Sequence, residues 1–376
     1  MRLHGLILLV AAAMFLGGCR IDPPLYLRSA VTTQLELSTK IDIEVMWQIG
    51  WRAEWQFNWV ETMYGPLGYR LPASMRAHVY PLGSEGLPLS HTVHNFVGDY
   101  TSFQISVGMH DFLFHNNDSE AVQFHADGDL EDIFASTREI SSGLRASSPV
   151  YSTAQKAMGM GTKAEDEEAA PDEPVSLQPD GLFSVFVPDY YVSGDLNDYV
   201  YENGKYVLKM QHELTPTTYI YLFQIKLLNN AGRIVGSNGG AALTGMADGA
   251  DLMTKETRTS TVSVPMDMYM DSPQDMLGAK VFTFGIPGCN PYDKASVDRA
   301  PEKKHYLVVN VTYANGTYKN IRIDVTEEVR ALPLGGVITL ELDVDDFPPE
   351  GGTGGGGFNA LIGEWNEETG STTIIN

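Results

Sequence analysis

The sequence predicts an all-β protein. Three observations carry that reading. Apolar residues recur at every second position through most of the chain beyond Thr33, Asn-Gly pairs stand between aromatic and β-branched runs, and the 376 residues include 37 glycines and 20 prolines, the punctuation of many turns. Period two marks a half-buried strand, because successive strand side chains point to opposite faces.

The stretch WQIGWRAEWQFNW, Trp47 to Trp59, holds four of the five tryptophans at intervals of four. That spacing suits a helix or a strand, and the intervening residues decide. Every odd position from Ile41 to Trp59 is apolar, while the even ones include Asp42, Glu44, Gln48, Arg52, Glu54, Gln56 and Asn58. On a helix, Ile49, Ala53 and Phe57 would fall roughly opposite the tryptophans at ~100° per residue. On a strand they share the tryptophan face. One rod of this length would span roughly 60 Å, so two strand segments meeting at a bulge or bend at Gly50 are expected. Burial in the core is the default for these rings, and one strand alone cannot satisfy its backbone in lipid. Trp51, Trp55 and Trp59 stay open as an exposed ridge for a protein or a glycan.

Further strands are expected at MRAHVYP, TSFQISV and HDFLFHNN, and DLEDIFASTRE is expected as a short helix or irregular crossing. Between Ser141 and Pro174 the periodicity vanishes, and KAEDEEAAPDEP points to a solvated acidic loop over 141–176. The second half repeats the pattern in TYIYLFQIKLL, AKVFTFGI, HYLVVNVTY, KNIRIDV and GVITLELDV. ENGKYVLKM and YANGTY carry Asn-Gly hairpin signals of type I′. A short helix is expected at DVTEEVRAL, capped by Thr326 and ended by Pro333. The expected division is an N-terminal β-sandwich over 33–200 and a C-terminal one over 201–348. Behind a glycine-rich linker at 349–357, the tail 358–376 regains apolar residues at Phe358, Leu361, Ile362, Trp365, Ile374 and Ile375, and reads as a strand-like segment that docks on its own body or on a neighbour.

Residues 1–18 read as an export signal: Arg2 supplies the basic start, Leu6 to Phe15 are apolar but too short to span a bilayer, and LGGC follows at Leu16 to Cys19. Small residues directly before a cysteine resemble a bacterial lipobox, making Cys19 the expected lipidation site and 19–32 a tether. Cys289 then lacks an intramolecular partner, so no disulfide framework and no multi-thiolate metal site is expected. The formal charge is −23, and removing residues 1–18, with one Arg and no acid, gives −24. Such acidity excludes nucleic acid as a partner and gives anionic lipid no attraction, leaving membrane association to the acyl chains.

Catalytic signatures are absent from the sequence: there is no G-x-S-x-G elbow, H-E-x-x-H helix, P-loop or complete G-x-G-x-x-G after a strand. His91 and His94 are three apart, and His110 and His115 five apart with His125 further on; a strand turns residues three or five apart to opposite faces, and no shared metal ion is expected. Asp127, Asp129, Glu131 and Asp132 in HADGDLEDI are a set of hard oxygens, but the segment lacks the length and terminal glutamate of an EF-hand loop, and a solvated loop is expected. Neither an enzyme nor a cofactor is expected.

The lipobox, the strand leading to Trp47, and VYPLGSEG, VGMHDFLFHNNDSEAVQF, ASTRE, PDGLF, LTGMADG, KVFTFGI and IRIDVTEEV resemble, in that order, a family of Bacteroidetes lipoproteins related to fimbrillins and fimbrial anchor subunits. The resemblance covers roughly Cys19 to Pro348. It implies two tandem transthyretin-like β-sandwiches on an outer-membrane lipid anchor, at the cell surface or on the periplasmic face. It also implies a non-enzymatic role as fimbrial anchor or accessory subunit, with fimbrial subunits or other cell-surface proteins as partners joined by strand donation. Only Cys19 inherits a defined role, as the lipid attachment site. A surface glycan-binding lipoprotein using exposed aromatics is the alternative.

Overall fold

The computed structural model describes residues 31–39, 50–125, 130, 132–140, 173–349 and 372–375. Its first half contains β1 (Val31–Thr39), β2 (Ser74–Pro81), β3 (Thr92–Val97), β4 (Tyr100–Thr101), β5 (Gln104–Ile105), β6 (Gly108–Asn116), β7 (Val122–His125), β8 (Phe134–Thr137), β9 (Phe183–Val192), β10 (Val200–Glu202) and β11 (Lys205–Pro216). One sheet runs β3-β2-β6-β9-β11-β1-β4, with β10 added to β11 and β5 to β1. β1 lies parallel to β11, and the other pairings in this sheet are antiparallel. Alternation works as the sequence requires: Leu35 and Leu37 of β1, Met75, Ala77 and Val79 of β2, and Phe112 and Phe114 of β6 fill one core. The hairpin β10-β11 turns on Asn203 and Gly204, both at positive φ (51° and 80°), as a type I′ turn needs. Since β11 is part of this sheet, the boundary expected at 200/201 falls inside the first half.

The second half contains β12 (Tyr219–Leu228), β13 (Ile234–Ala247), β14 (Gly249–Asp251), β15 (Thr261–Met266), β16 (Met268–Asp271), β17 (Met276–Thr283), β18 (Tyr306–Tyr313), β19 (Tyr318–Asp324), β20 (Gly336–Asp343) and β21 (Thr372–Ile375). Sheet β16-β17-β12-β20 faces sheet β15-β13-β18-β19-β21 across a core that includes Phe223, Ile225, Leu243, Val281, Val309 and Ile321. The Asn315-Gly316 turn is not type I′. Only Gly316 of the pair has positive φ (83°), and Tyr313 N donates to Thr317 O (2.8 Å), the pattern of a longer loop with a glycine bulge. Among the described residues there are also four short α-helices: α1 (Arg52–Glu54), α2 (Glu61–Tyr64), α3 (Lys294–Asp298) and α4 (Thr326–Ala331). Thr326 does not cap α4. It is the first helical residue, its hydroxyl accepts from His305 N (3.0 Å), and Asp324 Oδ1 accepts from its amide (3.0 Å).

One expectation made from polarity fails, and a second, the acidic loop over 141–176, is corrected at its end, residues 141–172 lying outside the described residues. Within DLEDIFASTRE, Phe134–Thr137 is a strand, paired to β7 on one side and to β14 of the second half on the other. At the end of the expected acidic loop, Val175 and Ser176 are buried and bridge to Ser263 and Glu139. Both segments are polar enough to resemble loops, yet each spans the two halves, where polar atoms find partners: Ser176 Oγ, for example, bonds Thr137 Oγ1 (2.8 Å).

The larger correction concerns the tryptophans. From Gly50 to Glu54 the chain is helical, and from Trp55 to Val60 it is extended without a ladder partner, so 50–59 is not a strand. Residues 41–49 lie outside the described residues. Alternation persists at Trp55 to Asn58, which run buried, exposed, buried, exposed, but the backbone partner is a side chain. Gln224 of β12 accepts from Gln56 N (2.7 Å) and Phe57 N (3.2 Å) through Oε1, and donates through Nε2 to Glu54 O (2.6 Å) and Thr339 Oγ1 (2.7 Å). A period-two pattern requires only that alternate side chains be buried, which an extended strap satisfies as well as a strand.

Candidate functional site: the cleft under the tryptophan strap

The strap crosses from the first half to cover the outer face of the second half's four-stranded sheet. Trp55, Phe57 and Leu67 pack with Ile220, Leu222, Met276 and Val337. Trp55 is 9% exposed, and Trp51 and Trp59 are half-buried against the same cluster. Trp59 donates through Nε1 to Gly65 O (2.9 Å), its ring meets Tyr64 at 5.2 Å and Tyr269 at 5.6 Å, and Tyr64 stacks on Tyr269 at 3.8 Å. The three tryptophans are therefore a roof on a sheet rather than a row of open rings.

The same strap walls a cleft of about 660 Å³ between the halves. Tyr64 to Ala73 form one side, the loops Asn116–Glu120 and Gln178–Gly181 another, and Lys280 and Phe282 of β17 the floor. These loops are the HNNDSE and PDG stretches that resemble the fimbrial lipoproteins, and the structure shows what they do. Asn116 donates through Nδ2 to Gly181 O and Asp118 Oδ1 (2.9 Å each) and accepts from Phe183 N (2.8 Å). Asp180 Oδ2 accepts from Ser119 Oγ (2.6 Å), Glu120 N (2.9 Å) and Ala121 N (3.0 Å). Asp118 Oδ2 accepts from Ala73 N (2.6 Å), fixing the strap's end. Gln178 spans the halves, donating to Pro265 O (2.8 Å) and accepting from Phe282 N (3.2 Å). The walls are thus held by side chains, and their amides are spent on one another.

On the floor, Lys280 Nζ donates to Pro66 O and lies 5.0 Å from the Phe282 ring centroid. Burial, with the Arg70 cation beside it, pushes its amine down to about 8. Sequence reasoning missed both cations. A lone lysine within the apolar run AKVFTFGI was the available signal, since a strand side chain there must be covered or paired.

The histidines assemble differently from the sequence expectation. His78 of β2 joins residues that local spacing keeps apart: its Nδ1 lies 2.9 Å from His91 Nε2, and its Nε2 lies 3.0 Å from His115 Nε2. Among the described residues there is no group of three or more histidine, cysteine or acidic side chains arranged to hold a metal ion. Asp127, Asp129 and Glu131 lie outside the described residues, as do Cys19, Phe358, Leu361, Ile362 and Trp365. Ile374 and Ile375 fall in β21, which runs parallel to β19 in the register Asn320 to Thr372 and Ile323 to Ile375. No helix among the described residues is long and apolar enough to cross a membrane.

Fold and cleft define the class: an all-β protein of two sheet systems stitched together by a shared sheet, a strap and buried polar clamps. The chain belongs to the family described as a domain of unknown function, DUF5119, which matches residues 55–267. The match opens inside the strap and closes just after β15, so it spans the stitching between the halves. Among curated proteins no sequence matches the chain. Similar solved structures include a candidate adhesin from Bacteroides ovatus (14% identity, 87% of this chain and 97% of that one, TM-score 0.48). Others are a candidate polysaccharide-binding protein from Bacteroides thetaiotaomicron (8%, 84% and 91%, 0.43) and a fimbrial anchor protein from Porphyromonas gingivalis (10%, 83% and 90%, 0.41).

Proposed function

We propose that this chain is a non-enzymatic outer-membrane lipoprotein, held through Cys19 and exposed at the cell surface, that serves as a fimbrial anchor or accessory subunit and joins pilins by β-strand addition. The observation that carries the reading is β21. It is a four-residue strand at the edge of the five-stranded sheet, bonded among the described residues only to β19, in a tail whose sequence begins with a glycine-rich linker. A strand so short gains little from its own ladder and exchanges readily with a strand from another chain. Once vacated, the β19 edge offers main-chain donors and acceptors to a partner, and the released tail offers alternate side chains to a partner's pockets.

Deleting 358–376 tests this. The expected result is a chain that unfolds at nearly the full-length temperature and no longer captures pilins from the native envelope. A truncated chain that unfolds far lower, together with a full-length chain that captures no partner, makes the tail a structural strand and removes the proposal. Incorporation of labelled acyl chains, expected in the wild type and lost in Cys19→Ala, tests the anchor separately.

A further inference from the structure

From the cleft floor we infer a binding site for a carboxylated sugar, a uronic-acid residue of a surface glycan, whose carboxylate is held by Lys280 and Arg70 while its ring lies between the strap and the acidic rim. The inference is independent of strand exchange at β21.

The chain has 48 acidic and 25 basic residues, so two cations that line one cleft with no carboxylate hydrogen-bonded to either among the described residues stand out. Arg70 is exposed and makes no hydrogen bond or ion pair among the described residues, and Lys280 has only the neutral Pro66 carbonyl as acceptor. The lowered Lys280 amine reports the same imbalance, for burial and Arg70 both push it down while Glu61 alone opposes them. An anion placed between two such cations relieves their repulsion and gains charge-assisted hydrogen bonds from both.

A cleft of about 660 Å³ lies within the range of small-ligand sites, ~300–1,000 Å³. A peptide would need a free strand edge, but β17 is paired on both sides, to β12 and β16, and the wall amides are engaged with Asp118 and Asp180. What remains for a ligand is cationic charge, the aromatic rings of Tyr64 and Phe282, and the exposed rim carboxylates Asp118, Glu120 and Asp180. A sugar acid matches each of these: a carboxylate for the cations, an apolar ring face for an aromatic ring, and hydroxyl donors for the rim.

The test is titration of the full mature chain with galacturonate and glucuronate oligosaccharides, with neutral glucose oligosaccharides and an acidic peptide as comparisons, read by calorimetry. Saturable binding of a uronate oligosaccharide is expected, weakened at least tenfold in Lys280→Gln and in Arg70→Gln, and weakened by added salt. Arg70 is exposed and unpaired, so Arg70→Gln keeps the test sharp even if Lys280→Gln unfolds. Equal binding of neutral sugars, unchanged affinity in Arg70→Gln, preference for the acidic peptide, or no uronate binding at millimolar concentration would each overturn the inference.

Discussion

The ring of Phe57 lies directly on Gly278. A Cβ at Gly278 would stand 2.5–2.6 Å from Cγ, Cδ1 and Cδ2 of that ring, inside any real carbon contact. Glycine here is required by the close approach of the strap to β17, so that an aromatic side chain covers the bare backbone. Gly278→Ala is expected to push the strap away and cost about 1–3 kcal/mol, the usual range for overpacking. Urea unfolding measures the loss, and tryptophan emission should shift red as Trp55 and Trp59 gain water. An unchanged spectrum would mean that Phe57 moves without the strap.

Gln224 holds the same strap by hydrogen bonds. Its side chain is fully buried and serves two amides and a carbonyl of residues 54–57, so Gln224→Leu keeps most of the volume and leaves those groups bare. A loss of about 2–3 kcal/mol is expected, because a buried backbone group without a partner carries its full desolvation cost. The companion Thr339→Val removes one outer bond and is expected to cost less than about 1 kcal/mol. Equal losses in the two variants would show that the strap amides find water instead.

These residues also mark the limit of what the sequence discloses. β12 and β18 are legible because their long aromatic and aliphatic runs demand burial, and β19 because Ile321 and Ile323 alternate with polar residues. β13 is not, since IVGSNGGAALTGMA is glycine-rich and its pairing shifts register at three places, once against β15 and twice against β18. The strap shows the alternation of a strand, and what replaces its ladder, the side chain of Gln224, lies 168 residues from Gln56. Lys280, Gln224 and His78 share one signal, a polar residue inside an apolar strand. Such a residue announces a buried partner without naming it.

Lys255 bolts the halves together. It sits at φ 64° in the second half, and its Nζ donates to Ser184 O (2.8 Å), Thr215 O (2.9 Å) and Thr217 Oγ1 (2.7 Å) of the first. Among the described residues no carboxylate bonds this amine, so its worth lies in satisfying three buried acceptors. Lys255→Met is expected to lose about 2–4 kcal/mol. It should also open the junction to protease before either core unfolds, with cleavage near Thr215 to Thr218 read by mass spectrometry. Cleavage spread evenly over the chain would place the loss elsewhere.

The imidazole ladder makes stability depend on pH. His115 Nδ1 faces Asn116 O (2.8 Å), which only a protonated Nδ1 can donate to, so the neutral ring accepts at Nε2 from His78, whose Nδ1 in turn bonds His91 Nε2. His115 is then a single neutral tautomer that takes its bond from His78. A proton added to His115 would set N–H against N–H. Burial first, then His78, holds His115 down to about 3, and burial holds His305 down to about 4. Both folded values lie below the free histidine value of about 6.5, so the unfolded chain binds more protons between them. The contribution is whole above pH ~6.5 and is lost as pH falls toward 4 and then 3, at up to about 1.4 kcal/mol per pH unit for each proton. His115→Gln is expected to be less stable than wild type at pH 7 yet to lose less between pH 6.5 and 4.5 in urea unfolding. Parallel pH curves for the two proteins would show that the ladder stays neutral without controlling acid stability.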